Sequence, residues 1–205
     1  MPSVTLPNWT SHLTGFGPEE HGVTSNSCTV EKHELAPIDS DAEGYYPSIF
    51  KVLKEQVPHV KTAYYYNWAE LINSMNKKYM DEVSFQYHDK YDSNYPKAYE
   101  FIVQNQKDPE LVFLYSVHTD HAGHNYGWMS PQYIAAIESA DSAIGGFLDK
   151  LKAAHLYKKN LFLTHNRSWR NWKRQWRYNH AGNASAMGYY RSLNKKIRIS
   201  RFLQQ

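Results

Sequence analysis

The sequence predicts an α/β fold organised around a mainly parallel sheet, and two observations carry that prediction. Short apolar or aromatic runs, KTAYYY at 61–66, LVFLYSV at 111–117 and NLFLT at 160–164, read as buried strands rather than half-exposed, alternating ones. Between them lie stretches with helical spacing, so strands and helices alternate along the chain. That alternation points to a sandwich with helices flanking the sheet and functional groups gathered at strand ends.

Taken in order, Thr5-Leu6-Pro7-Asn8 reads as a strand end turning into a helix, with Pro7 in the first turn and the helix continuing through Thr14. Residues 27–44 are polar and turn-rich and read as a surface loop. Pro47 opens a helix to about residue 56, with Ile49, Phe50, Leu53 and Val57 on one face. The tyrosines of 61–66 are core packing, and 67–78 returns to helical spacing through Leu71, Ile72 and Met75. Residues 82–87 form a second strand-like run and 95–106 a helix. Ser130-Pro131 caps a long helix reaching about His155, with Ile134, Ile137, Ile144, Leu148 and Leu151 as its apolar face.

Composition sets bounds on the possible functions. Of the 205 residues, 41% are hydrophobic and 21% charged, the balance of a soluble globular protein. No run of apolar residues is long enough to span a membrane, and the start has no signal-peptide pattern. The single cysteine, Cys28, excludes an internal disulfide. Charge is strongly uneven: residues 1–164 hold all 20 acidic side chains and 13 of the 23 Lys and Arg, whereas 165–205 hold ten basic and no acidic ones. Such a switch marks a boundary, so 1–164 and 165–205 are read as separate regions.

The first helix holds the leading catalytic candidate. At its start, Thr5 sits where unpaired N–H groups and the helix dipole favour an anion, so a phosphate could rest against its hydroxyl. Taken alone, a threonine there also suits a helix cap. As a nucleophile it would need a base or metal, because a threonine hydroxyl is too weakly acidic to attack phosphorus unaided. Beyond the strand at 111–117, Asp120 and His124 supply oxygen and nitrogen donors suited to zinc, in the segment DHAGH. Gly123 is expected to let the backbone turn so that the two converge.

The strings TLPNWTSHLTG and GPEEHGVTSN closely resemble the nucleophile segment of the type I phosphodiesterase/nucleotide pyrophosphatase branch of the alkaline phosphatase superfamily, and DHAGH followed by Tyr126-Gly127 resembles its D-x-x-G-H motif. The resemblance covers roughly residues 2–164. It implies an alkaline-phosphatase-like sandwich, here a partial catalytic domain incomplete at both ends. By residue matching it implies Thr5 as nucleophile and metal ligand, Asn26 as donor to a phosphoryl oxygen, Asp120 and His124 as ligands of a divalent metal, and His21-Gly22 as a structural turn. It also implies zinc, two ions in the intact family, and hydrolysis of a small phosphoester or nucleotide through a phospho-Thr intermediate. Intact members are often exported. His118 and His121 match no ligand position and are expected at the surface or behind the ligands.

Two expected elements depart from that pattern. The family's first-strand Asp belongs before Val4, where the sequence holds only Met1, Pro2 and Ser3, and its Asp-His-Gly motif belongs after 160–164, where the sequence reads HNRSWRNWKRQW. No Asp follows Asp149. Trp169, Trp172 and Trp176 fall where a one-base shift turns TGG, with a following A or C, into glycine codons. In that frame His165–Met187 can encode an Asp-His-Gly-Gly segment and its glycine-rich continuation. The tail is therefore expected to be an out-of-frame translation, and the enzyme as written to bind metal weakly and turn over little. The alternative takes the tail at face value: its cations, interleaved with tryptophans and tyrosines, would bind nucleic acid on a relic catalytic domain.

Overall fold

The computed structural model describes residues 4–87, 90–164 and 189–190, and the chain divides into two compact units, Met1–Leu151 and Lys152–Gln205. The reading of the tail, in either frame, lies outside the described residues apart from the backbone of Tyr189–Tyr190. Among the described residues no helix is long and apolar enough to cross a membrane.

The first unit is built on a three-stranded parallel sheet. β1 (Lys61–Tyr66) is central, flanked by β2 (Glu82–Phe85) and β3 (Glu110–Leu114), in the order β2-β1-β3. Register sets Tyr64 beside Val83 on one side and beside Phe113 on the other. Tyr64 and Tyr65 are fully buried and Tyr66 is 5% exposed, so successive residues of β1 are covered on opposite faces. An aromatic side chain buries roughly 200 Å². At about 25 cal/mol per Å² that is worth about 5 kcal/mol for each such ring before ordering entropy is counted.

Two layers provide the cover. On the Tyr64 face lie α1 (Thr5–Thr14), α3 (Ile49–Gln56) and the 3-10 segment Ala69–Ser74, which contribute Leu13, Phe50, Leu71 and Ile72 to one cluster with Tyr64, Tyr66, Leu111 and Phe113. Tyr64 stacks on Phe113 with centroids 4.7 Å apart. The opposite face carries α4 (Asn94–Asn105), whose buried Ala98, Phe101 and Ile102 form its apolar stripe. There Asn94 Nδ2 donates to the Tyr66 carbonyl at 3.3 Å, and Ser84 Oγ bonds Asn94 Oδ1 at 3.2 Å. α5 (His118–Tyr126) and α6 (Pro131–Ala153) follow β3. Ser130 caps α6 by accepting from the Tyr133 N–H at 3.1 Å.

Five expectations are corrected. The helix predicted at 67–78 is two 3-10 segments, Ala69–Ser74 and Lys77–Tyr79, because Asn76 turns its side chain back to accept from Lys78 N at 3.0 Å and interrupts the ladder. The run at 111–117 is strand only over Glu110–Leu114, and every residue of it is half-buried, since β3 is an edge of the sheet. On α3 Phe50 is buried but Ile49 is 41% exposed. On α6 the buried stripe is Ala136, Phe147 and Leu151; Ile134 and Ile137 lie about 200° and 100° of helical arc from Ala136 and are exposed. The strand expected at 160–164 is β4 (Phe162–Leu163), paired antiparallel with β5 (Tyr189–Tyr190) in the second unit rather than added to the parallel sheet.

The entry segment is locked by the turn after α2 (Pro18–His21). His21 is 3% exposed; its Nδ1 accepts from Val23 N at 3.1 Å, so Nε2 carries the proton and donates to Ser11 Oγ at 3.0 Å. Gly22 follows with φ +75°, and a Cβ there would lie 2.5 Å from the Leu35 carbonyl oxygen. Burial lowers the His21 pKa from 6.5 to about 4. Unfolded His21 takes up its proton near 6.5 and folded His21 only near 4, so stability is intact above that window and is lost as pH falls through it. Urea unfolding should therefore show a falling midpoint between pH 6.5 and 5 that is flatter in His21→Gln. In the same assay Gly22→Ala should cost more than ~2 kcal/mol, combining the left-handed backbone penalty with displacement of the Leu35 carbonyl.

Candidate active site

The site candidates fall into two pairs. The first is built on the start of α1. Val4, not Thr5, is the N-cap, with extended backbone and no side-chain cap bond, and Thr5 is the first helical residue. Of the first-turn amides, Pro7 has none, and Leu6 N donates to Asn26 Oδ1 at 2.8 Å across twenty residues of chain. The amide of Asn26 is thus brought beside Thr5, with its Oδ1 committed and its Nδ2 left as a donor. Thr5 is half-buried, whereas Leu6, Pro7 and Asn8 beneath it are buried.

Asn26 is held by the short turn that carries it. Cys28 N donates to Ser25 O at 3.4 Å, and Ser25 N donates back to Cys28 Sγ at 3.4 Å, with the hydroxyls of Ser25 and Thr24 also against that sulfur. Burial pushes the Cys28 thiol up, but the donors from Ser25 and Thr24 outweigh it and leave the pKa below the ordinary value. A lone cysteine two residues past a site residue gave no sequence signal of this anchoring role.

The second pair lies on α5. Asp120 and His124 are one helical turn apart, with His124 Nε2 3.5 Å from Asp120 Oδ2 and both side chains about half exposed. They converge because of helical spacing, not through a turn at Gly123, which is itself inside α5. His118 stacks on Tyr91 with centroids 4.5 Å apart and is half-buried, as is His121.

What relates the pairs is the carboxyl edge of the sheet. One turn past Thr5, Trp9 packs edge-on against Phe113 and Tyr115, 5.6 and 5.4 Å away, where β3 ends. Val117 N, just before α5, donates at 2.8 Å to the side chain of Asn67, which follows β1 and is 4% exposed. Asn67 was missed as a positioning residue, although a polar residue directly after a buried strand was its signal. No hydrogen bond or ion pair joins Thr5 or Asn26 to Asp120 or His124 among the described residues, and no group of three or more His, Cys, Asp or Glu able to hold a metal occurs among them.

With helices on both faces of a parallel sheet and polar residues gathered past its strand ends, the protein is of the alkaline-phosphatase-like α/β class. The solved structure of murine ectonucleotide pyrophosphatase/phosphodiesterase 5 superposes with a TM-score of 0.54 at 19% identity, covering 76% of this chain and 42% of that one; it was solved as an inactive variant in complex with AMP. Residues 1–164 match the family model for type I phosphodiesterase / nucleotide pyrophosphatase, and the chain belongs to that family. Human ectonucleotide pyrophosphatase/phosphodiesterase family member 1 is 25% identical over 168 residues, covering 77% of this chain and 18% of its own length. Venom phosphodiesterase of Macrovipera lebetinus is 24% identical over 76% of this chain and 14% of its own length, so the chain spans a small part of these relatives.

The Leu6–Asn26 bond has a measurable consequence. Asn26→Ala should destabilise the chain by ~1 kcal/mol in urea unfolding, by orphaning the Leu6 N–H. Asn26→Asp, which keeps the acceptor, should unfold close to the parent.

Proposed function

We propose that this chain carries part of a phosphoester hydrolase that acts on nucleotide-type substrates through a phospho-Thr intermediate at Thr5, with little turnover in the sequence as it stands. The observation that supports it most directly is the hydrogen bond from Leu6 N to Asn26 Oδ1, which turns a donor amide toward the Thr5 end of α1. Attack by Thr5 Oγ on phosphorus forms the Thr–phosphate ester and releases the leaving alcohol. Water then cleaves that ester and regenerates the hydroxyl. Asn26 Nδ2 is the donor for a phosphoryl oxygen on which charge develops. The relative solved with AMP supports a nucleotide as the substrate class.

Asp120 and His124 suit one divalent metal. Zinc bonds of about 2.0–2.2 Å at tetrahedral angles set two ligand atoms roughly 3.4 Å apart, and these two stand 3.5 Å apart. Asp120 and His124 are the groups that would hold one zinc, and the Thr5 hydroxyl is the group that would meet a metal beside the transferring phosphoryl group. When bound, zinc would supply a lowered hydroxyl pKa and a counter-charge for the transferring phosphoryl group. Two protein ligands are a sparse set for one metal, which favours weak binding and little turnover.

The test is incubation of the 205-residue chain with zinc and bis(p-nitrophenyl) phosphate, followed by mass spectrometry. At most about one equivalent of p-nitrophenolate should be released quickly, with the aryl phosphate adduct on Thr5. Thr5→Ala should abolish both. Asn26→Asp should slow adduct formation by ~100-fold, the usual scale for loss of one such donor. An adduct that survives in Thr5→Ala would overturn the assignment of the nucleophile, and sustained rapid turnover would overturn the claim of impairment.

A further inference from the structure

The turn that joins α5 to α6 does more than connect them. Gly127 has φ +90° and Met129, a non-glycine residue, φ +68°, while Ser130 N bonds back to Gly127 O at 3.3 Å. A bulky residue in the left-handed region is an uncommon conformation that its surroundings must hold in place. Its effect is to fold Trp128, between them, back over the helix it has just left. There the indole meets a gap in the helix surface. A Cβ built on Gly123 would lie 2.6 Å from Trp128 Cε3 and Cζ3, so the ring occupies the space that any other residue would fill. One neighbour of the indole is the His124 imidazole, edge-on at 5.7 Å and 66°; another is Tyr133, at 5.2 Å and 69°.

His124 is 46% exposed and Asp120 50%, so neither is held by burial. A half-exposed imidazole on a helix surface leans toward the preceding turn, yet its ring can still rotate so that Nδ1, Nε2 or neither faces that turn. We propose that Trp128 is a positioning residue for His124: docked in the notch left by Gly123, its indole limits rotation of the imidazole and keeps Nε2 facing Asp120. The proposal rests on the reading of Asp120 and His124 as ligands of one metal, and it adds a reason why so small a set could bind one. Ligands oriented by hydrogen-bonded neighbours lose roughly 10–100-fold in metal affinity when those neighbours are removed, and a ring packed on the imidazole should act at the low end of that range. It also gives Gly123 a role that the helix alone does not require, since glycine inside a helix is otherwise a cost relative to alanine.

The test is zinc affinity of the full chain, by competition with a chromogenic chelator, with carbon–proton NMR signals of the His124 ring recorded without zinc. His124→Ala should remove this zinc site. Trp128→Ala should weaken it ~10-fold and shift the His124 ring signals through loss of the indole ring current, while Trp128→Phe stays within about threefold of the parent. Gly123→Ala covers the case in which Trp128→Ala fails to fold, because alanine favours the helix yet displaces the indole. It should weaken zinc as Trp128→Ala does, and the double variant should be no weaker than Trp128→Ala alone. Unchanged affinity in Trp128→Ala and Gly123→Ala, with His124→Ala still deficient, would overturn the positioning role and leave the ligand pair standing. Additive losses in the double variant would overturn it too. A His124→Ala chain that binds zinc like the parent would overturn the ligand reading and this proposal with it.

Discussion

β1 has to be buried on both faces and paired on both edges, and the rest of the first unit follows from that constraint. A run of three tyrosines can be buried only where each ring finds apolar cover and each backbone group a partner. The parallel neighbours β2 and β3 meet the second demand; Tyr64 against Phe113 and α3, and Tyr65 against α4, meet the first. Because parallel strands need long crossovers, helices must then lie on the faces. The carboxyl ends of β1 and β3 come to lie together, and Asn67 and Val117 fasten them with one bond. Both candidate pairs depend on this edge, α1 through Trp9 and α5 through its start.

The sheet was legible in the sequence because fully buried strands are continuous apolar runs, and Lys61–Tyr66 is the clearest of them. Edges were less legible. The residues of β3 read like those of a central strand, yet they are half-buried because being at an edge is a property of neighbours, not of composition. The same holds for α6, whose isoleucines imply a wide apolar face while the observed stripe is set by what it packs on. Asparagine defeated the helical reading of 67–78: Asn67 is taken by Val117 and Asn76 by Lys78, and side chains that bond backbone interrupt a helix that apolar spacing alone would allow.

At the site, motif and geometry carried different parts. Twenty residues separate Leu6 from Asn26, and no local rule pairs them; only resemblance singled out Asn26, while the structure supplies the hydrogen bond. Asp120 and His124 were legible as a donor pair, but the reason given for their convergence was wrong. Their i, i+4 spacing suffices once the segment is helical, which leaves the glycine between them in need of another explanation.

That explanation lies in where the cost of order is placed. A ligand pair on an open helix face gains little from burial, and ordering long side chains there is opposed by entropy. Positive φ at Met129 and a glycine within α5 are both locally unfavourable, and neither improves the core, since Trp128 remains 36% exposed. Two unfavourable local choices that converge on one ring are better understood as the means by which that ring is set against His124. Local sequence preference gives way in the same few residues that hold the D-x-x-G-H pair, which is where departures from local consistency are expected when a site is being shaped rather than a fold stabilised.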